Sequence, residues 1–367
     1  MKNALSSSAI ARIAASLDQL LPGFSSEQFR VQAQQGIDQL ELKQRVEHLI
    51  EIMAQHLPQD FSECAMLLSK VKDVWVTGDK NDPLQSFAAW PIVDYVAKYG
   101  LEHPDISLPL LKYLTGLFSA EFAVRPFIVK YPQLCQQYFT QWVESGDENV
   151  RRLVSEGTRP KLPWGMQLRS FVKSPQVNIP LLQRLKDDPS LYVRRSVANH
   201  LNDIAKDHPQ LVIDTCQRWL KGASSEVQWI IKHATRTLVK NGHPDVYPLL
   251  GYTSLPQCKV TNLTLSNSVI QLGEAINFSV TVQSCADQQQ GMVLDFALAL
   301  VKANGQQKNK VFKFKNLQLA AGEQVTLHKQ HYIKAISTRR YYCGIQRLII
   351  LINGESVAEQ DFELYID

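Results

Sequence analysis

D-E-N-V-R-R-L-V (Asp147 to Val154) and D-P-S-L-Y-V-R-R-S-V-A (Asp188 to Ala198) carry Val-Arg-Arg in one context, with Val150 and Val193 43 residues apart. That spacing lies inside the period of about 40 to 47 residues that characterises HEAT-type helical repeats. A third copy follows as S-S-E-V-Q-W-I-I (Ser224 to Ile231), and a weaker one precedes as E-F-A-V-R-P-F (Glu121 to Phe127). Laying the chain on itself with a shift of 77 residues superimposes Pro132 on Pro209, Gln133 on Gln210, Leu134 on Leu211, Trp142 on Trp219, Val150 on Val227, Thr158 on Thr235 and Arg159 on Arg236. No gap is needed, so chance is a poor explanation. Val124-Arg125 reaches Val193-Arg194 only across an insertion of about eight residues, an irregularity common in helical solenoids. The arginine after the repeat valine predicts a concave wall lined with cations, suited to a polyphosphate.

Working outward, 367 residues exceed one ordinary core and predict two domains, or a solenoid plus a domain. An apolar fraction of 45% with 20% charged residues is that of a globular protein and excludes disorder. A net charge of +4 permits nucleic-acid binding without demanding it. Cys64, Cys135, Cys216, Cys258, Cys285 and Cys343 form no C-x-x-C pair and no zinc spacing, which predicts inert thiols in a reducing cytoplasm. Arg12 and Asp18 interrupt the apolar N-terminus, spoiling a secretory signal, and no run reaches 18 apolar residues.

Ile10, Ile13, Leu17, Leu20 and Leu21 recur at three and four, one face of a helix. Ser25 with Gln28 suggests a capping box, Phe61 to Val76 reads as one helix, and Thr77 to Pro83 as a polar loop. Prolines 126, 132, 160, 163, 175, 180, 189 and 209 fall mostly where helices should end and restart. Near Tyr252 the period changes. Lys259 to Val282 alternates apolar and polar residues, with a turn at Gly273, and further strands are expected at Met292–Val301, Val311–Phe314, Val325–His331, Arg347–Ile352 and Asp361–Ile366, with a turn at Asn353-Gly354. The expected fold is multidomain: an all-α HEAT-like helical repeat solenoid over 1–252, then an all-β immunoglobulin-like sandwich over 258–367. Cys258 and Cys285 lack the Cys, Trp, Cys spacing of antibody domains, so no disulfide is expected.

Between Leu300 and Leu348 ten cations, Lys302, Lys308, Lys310, Lys313, Lys315, Lys329, Lys334, Arg339, Arg340 and Arg347, face the single acid Glu323, which favours phosphate contact over ordinary edge lysines. Six residues after the repeat valine stand Glu156, Asn199 and His233, equivalent positions on one side of the helical wall. Glu156 puts a carboxylate where a DNA-facing surface would hold a cation; a plain i,i+4 partnership with Arg152 would also account for it. Asp203 could be a chemical group or a helix-terminal acid. Trp164, between Pro163 and Gly165, is hard to read as core, whereas Trp75, Trp90, Trp142 and Trp219 read as packing.

The runs V-R-R-S-V-A-N-H-L-N-D-I-A-K-D-H-P (Val193 to Pro209), E-N-V-R-R-L-V-S-E-G-T-R-P-K-L-P-W (Glu148 to Trp164) and S-A-E-F-A-V-R-P-F (Ser119 to Phe127) resemble the AlkC and AlkD superfamily of alkylpurine DNA glycosylases. The AlkC side is nearer, because V-L-D-F-A-L-A-L-V-K-A-N-G and S-T-R-R-Y-Y resemble the immunoglobulin-like domain of one AlkC branch. The resemblance implies a monofunctional, monomeric glycosylase that excises cationic bases such as 3-methyladenine and 3-methylcytosine from duplex DNA without flipping the base. It implies no metal, no nucleotide cofactor and no membrane. Its active-site group falls on Glu121, Glu156, Trp164 and Asp203. Arg151, Arg152, Arg159, Arg194, Arg195, Asn199, His233 and Arg236, with Arg339 and Arg340 of the sandwich, are expected to meet the DNA. The rival is a non-enzymatic HEAT scaffold for nucleic acid or protein. A metal-dependent nuclease using the same acids fits less well, since they lack the histidine and aspartate company of two-metal sites.

Overall fold

The computed structural model describes residues 2–336 and 339–366, so Met1 and Asp367, and Ser337 and Thr338 of the S-T-R-R-Y-Y run, lie outside the described residues. Helices occupy the chain as far as Val246–Leu249, and strands begin at Cys258–Leu265. Two compact units divide it, Met1–Asp207 and His208–Asp367, so the last helices belong to the same unit as the strands.

The repeat is visible in local geometry. The helices Pro132–Trp142 and Pro209–Leu220 each begin with proline at the first position, where its missing N–H costs nothing, after a residue with nearly the same backbone: Tyr131 (φ −130°, ψ 57°) and His208 (φ −131°, ψ 63°). The Val-Arg-Arg helices Glu148–Gly157 and Leu191–Ile204 are started by side-chain caps. Asp147 accepts from the Asn149 N–H, and Ser190 from that of Tyr192; in the third copy, Ser225–Ala234, Ser224 accepts from Val227. Each such cap contributes about 1 kcal/mol. Thr158 and Thr235, paired by the 77-residue shift, close their helices alike, donating to the carbonyls of Val154 (2.6 Å) and Ile231 (2.8 Å). Val150, Leu153 and Val154, and Val193, Val197 and Leu201, are buried at helical spacing. Each is worth roughly 1.5–3 kcal/mol of apolar burial, which holds the stack together.

The sandwich comprises β1 (Cys258–Leu265), β2 (Val269–Gln271), β3 (Ala275–Ser284), β4 (Gln290–Val301), β5 (Gln307–Leu319), β6 (Gln324–Tyr332), β7 (Gly344–Ile352) and β8 (Glu355–Tyr365). One sheet has the order β1-β3-β6, the other β2-β8-β7-β4-β5. Pairing is antiparallel except for β2 on β8. Phe278 and Phe296 meet edge to face at 5.3 Å in the core between the sheets. Nearly all of β4 is buried, because its other face carries a small second cluster of Ala297 and Ala299 with Ile349 and Leu351. Within this unit the helical segment approaches that sheet at two glycines. A Cβ built on Gly354 would lie 2.1 Å from the Gly242 Cα. Asn353 fixes the same corner, its side chain accepting from Val293 N and donating to the Thr253 carbonyl, both at 2.8 Å.

Most sequence expectations correspond to elements. Trp142 and Trp219 are buried, the turns at Gly273 and Asn353-Gly354 have positive φ, and the cysteines are free thiols. Phe61–Val76 is not one helix: it breaks into Phe61–Leu68 and Val71–Val74, because the chain turns at Ser69-Lys70. Ser25 accepts from Gln28 N, which is half of the expected box. Among the described residues no helix is long and apolar enough to cross a membrane.

Candidate active site

Glu156 sits in the last turn of Glu148–Gly157, and Asp203 near the end of the helix one repeat later. They are joined through one side chain. Arg159 donates from Nε to Asp203 Oδ2 (2.8 Å) and from Nη1 to Glu156 Oε1 (2.7 Å). Asp203 Oδ1 also takes Lys206 at 2.7 Å, and Glu156 Oε2 takes the Ser196 hydroxyl at 2.5 Å. Arg152 Nη1 reaches Glu121 Oε2 at 2.7 Å while its Nη2 lies 3.6 Å from Glu156 Oε1, so the carboxylates form a chain from Glu121 to Asp203. The Arg152 guanidinium also covers the Tyr192 ring at 4.5 Å. Glu156 and Asp203 are only 5% and 1% exposed, so charge of either sign survives here by pairing. Burial opposes the charge on Arg152 and Arg159, but the neighbouring carboxylates outweigh it and hold both guanidinium pKa values above the ordinary range.

Two groups lie beneath this network. His200 is fully buried, and desolvation lowers its pKa to about 4, so it is neutral at pH 7 and its Nδ1 donates to the Ser155 carbonyl (2.9 Å). Arg125 is also fully buried, its pKa lowered to about 10 by burial and then by Arg159. It donates to the carbonyls of Gly157 (2.8 Å) and Met166 (2.6 Å), clamping both ends of the loop that carries Trp164. Trp164 stands out from that loop, 54% exposed, in the left-handed region at φ 64°. Lys43 donates to its carbonyl. Trp164 shares a cavity with Trp90, Asp94 and Phe122, the last adjacent to Glu121.

The structure therefore brings Glu121, Glu156 and Asp203 into one network and sets Trp164 on the loop leaving it. Many of the cations expected along the wall are engaged with acceptors of the protein itself. Arg151 is bidentate to Asp188 (2.6 and 3.0 Å), Arg152 and Arg159 bridge the site acids, and Arg194 donates to the carbonyls of Asp188 and Pro189. Three of these pairings, Arg151 with Asp188, Arg152 with Glu121 and Arg159 with Asp203, join residues 31 to 44 positions apart and form only when successive helices stack. Arg195 is exposed, and among the described residues no partner takes it. Asn199 and His233 are partly buried, and His233 stacks on Trp229 at 5.0 Å. Arg236, in the repeat slot of Arg159, is exposed and donates to the His233 carbonyl. In the sandwich, Arg339 and Arg340 cover Tyr341 and Tyr342 and line a cavity of about 360 Å3 with Lys302 and Lys308. Arg347, by contrast, is neutralised by Asp361 and Glu359. Sequence reasoning passed over Arg125, Ser196 and Lys206 as site residues, although Val124-Arg125 was already visible as a repeat copy. It also took Trp90 for packing alone and missed that Asp94 stands four residues on, one turn away on the same face.

These features define a class: a helical-repeat protein with a C-terminal immunoglobulin-like domain and a carboxylate-arginine network beside an exposed indole. The family model described as "Uncharacterised protein YhaZ, C-terminal Ig-like domain" matches residues 259–366. YhaZ of Bacillus subtilis (strain 168) is 35% identical over 326 residues, covering 89% of this chain and 88% of its own. The solved structure of Pseudomonas fluorescens alkylpurine DNA glycosylase AlkC, bound to DNA containing an abasic site analog, matches 99% of both chains at 35% identity with a TM-score of 0.91. The chain belongs to this AlkC and YhaZ family.

Proposed function

We propose that this protein is a DNA glycosylase that hydrolyses the N-glycosidic bond of cationic alkylated bases, 3-methyladenine and 3-methylcytosine among them, in duplex DNA. The observation that carries the reading is the Glu121, Glu156 and Asp203 network beside an exposed tryptophan, in a chain similar from end to end to a glycosylase bound to DNA with an abasic site analog. Methylation gives the base a positive charge, so when the C1′–N bond breaks its electron pair neutralises the leaving group. No strong acid is required. The barrier lies in the sugar, whose C1′ becomes an oxocarbenium-like cation that carboxylates and an aromatic face stabilise. Water then adds to C1′ and gives up one proton.

Arg152 and Arg159 shape what the acids can do. Arg159 joins Glu156 and Asp203, with Arg152 beside Glu156 and Lys206 on Asp203, so the two carboxylates are held in place before the sugar cation forms rather than in response to it. Trp164 supplies the indole face against the deoxyribose, and Glu121 the edge nearest the neighbouring cavity. An uncharged lesion lacks the activated leaving group and is cut poorly. On this reading the protein works as a monomer, without metal or nucleotide cofactor, on a base not swung into an enclosed pocket.

One observation favours the rival, a non-enzymatic scaffold: each carboxylate is already paired, as in a purely structural network. A base-release assay on methylated duplex DNA in excess EDTA separates the two. Free 3-methyladenine and alkali-labile sites are expected; their absence would leave the scaffold, and activity abolished by EDTA would point to a metal.

A further inference from the structure

A cavity of about 440 Å3 opens beside Glu121, lined by Lys43, Trp90, Asp94, Phe122, Trp164 and Met166 among others. Its chemistry is set by Asp94. Trp90 Nε1 donates to Asp94 Oδ2 at 2.7 Å, which turns the other oxygen away from that bond; Asp94 Oδ1 is buried and has no partner among the described residues. A buried acceptor without a donor is rare, because burial strips its water and nothing replaces it. Desolvation accordingly raises the carboxyl pKa to about 7, the Trp90 bond opposing the rise.

The surrounding cations are engaged elsewhere. Lys43 is drawn to the Trp164 carbonyl, Lys98 to Glu47 and Glu51, and Arg152 to Glu121. None of these cations is bonded to Asp94 Oδ1, which is left for a donor carried by a ligand. The surfaces that meet it are the Trp164 and Met166 side chains, 54% and 46% exposed, together with Phe122. Rings and a thioether suit a flat aromatic ligand, while an unmatched carboxyl suits an amine and disfavours a phosphate.

We infer that this cavity is a subsite for the excised base, an amino-bearing methylated heteroaromatic ring whose exocyclic amine donates to Asp94 Oδ1. The inference rests on the glycosylase reading. The base would enter after the C1′–N bond has broken, so the cavity holds the product and is compatible with a nucleotide that stays in the duplex.

Equilibrium dialysis of the intact protein against free 3-methyladenine and against its 3-methylhypoxanthine analogue, which carries an oxo group in place of the amine, tests this. Saturable binding of 3-methyladenine is expected, at least tenfold tighter than that of the oxo analogue. Asp94→Asn keeps the shape and can still accept from Trp90 but turns an amide donor into the cavity; it should abolish the preference for the amine and weaken 3-methyladenine at least tenfold. Trp164→Ala, an exposed change that leaves the core intact, should weaken both bases. A parent protein that releases base from methylated DNA yet fails to bind it, or an Asp94→Asn protein that binds it as tightly as the parent, overturns the subsite alone. A parent that releases no base overturns the glycosylase reading and the subsite with it.

Discussion

Arg159 shows how one residue can change meaning between sequence and structure. In the repeat it is the partner of Arg236, and as a pair they read as two cations on one wall. Folded, Arg236 is exposed, while Arg159 is 7% exposed and holds Glu156 and Asp203 together. The electrostatic consequence centres on Glu156. Glu156→Gln keeps the volume and the Ser196 contact but removes one negative charge from where the sugar cation would form. We expect duplex binding to persist and single-turnover release of 3-methyladenine to fall by about 10²-fold, the usual cost of losing one preorganised electrostatic group. Unchanged single-turnover rates would remove Glu156 from the chemistry.

At the scale of elements, the helical caps, prolines and buried valines were legible because each acts within one turn of its own chain. So were the strands, whose period of two survives even where the length was underestimated: Val311–Phe314 proved to be the middle of β5, with Lys313 and Lys315 exposed while Phe312 and Phe314 pack on Phe296. What escaped was contact between elements distant in sequence. Gly242 and Gly354 are 112 residues apart, yet neither tolerates a side chain, because their backbones approach and both have positive φ. Gly354→Ala should therefore be destabilised by at least about 1–3 kcal/mol, from strain alone, before the clash is relieved. Thermal or urea unfolding measures it; a change under about 0.5 kcal/mol would show that this corner yields freely.

At the scale of the whole molecule, a mildly basic chain has its cations sorted into two kinds. Some, such as Arg151, Arg152 and Arg194, are tied to acids or carbonyls of the protein; others, such as Arg195 and Arg340, remain exposed. If duplex DNA is the partner, only the second kind should release counterions on binding. Arg195→Ala or Arg340→Ala is expected to weaken binding to all duplexes and reduce the slope of log K against log salt by about 1. Slopes equal to the parent's would exclude that residue from phosphate contact. The buried Arg125 offers a contrast, since its bonds to Gly157 and Met166 make it structural.

The order of letters was enough to reveal repeating helices, the change to a β-sandwich and the residues worth watching, since periodicity, caps and turns are short-range properties that a chain carries wherever it goes. Pairing was not. Which carboxylate shares a guanidinium, that Arg152 and Arg159 face inward, and that one oxygen of Asp94 is left without a donor all depend on distances across 31 to 44 residues of chain or on burial, and these exist only after the helices have stacked.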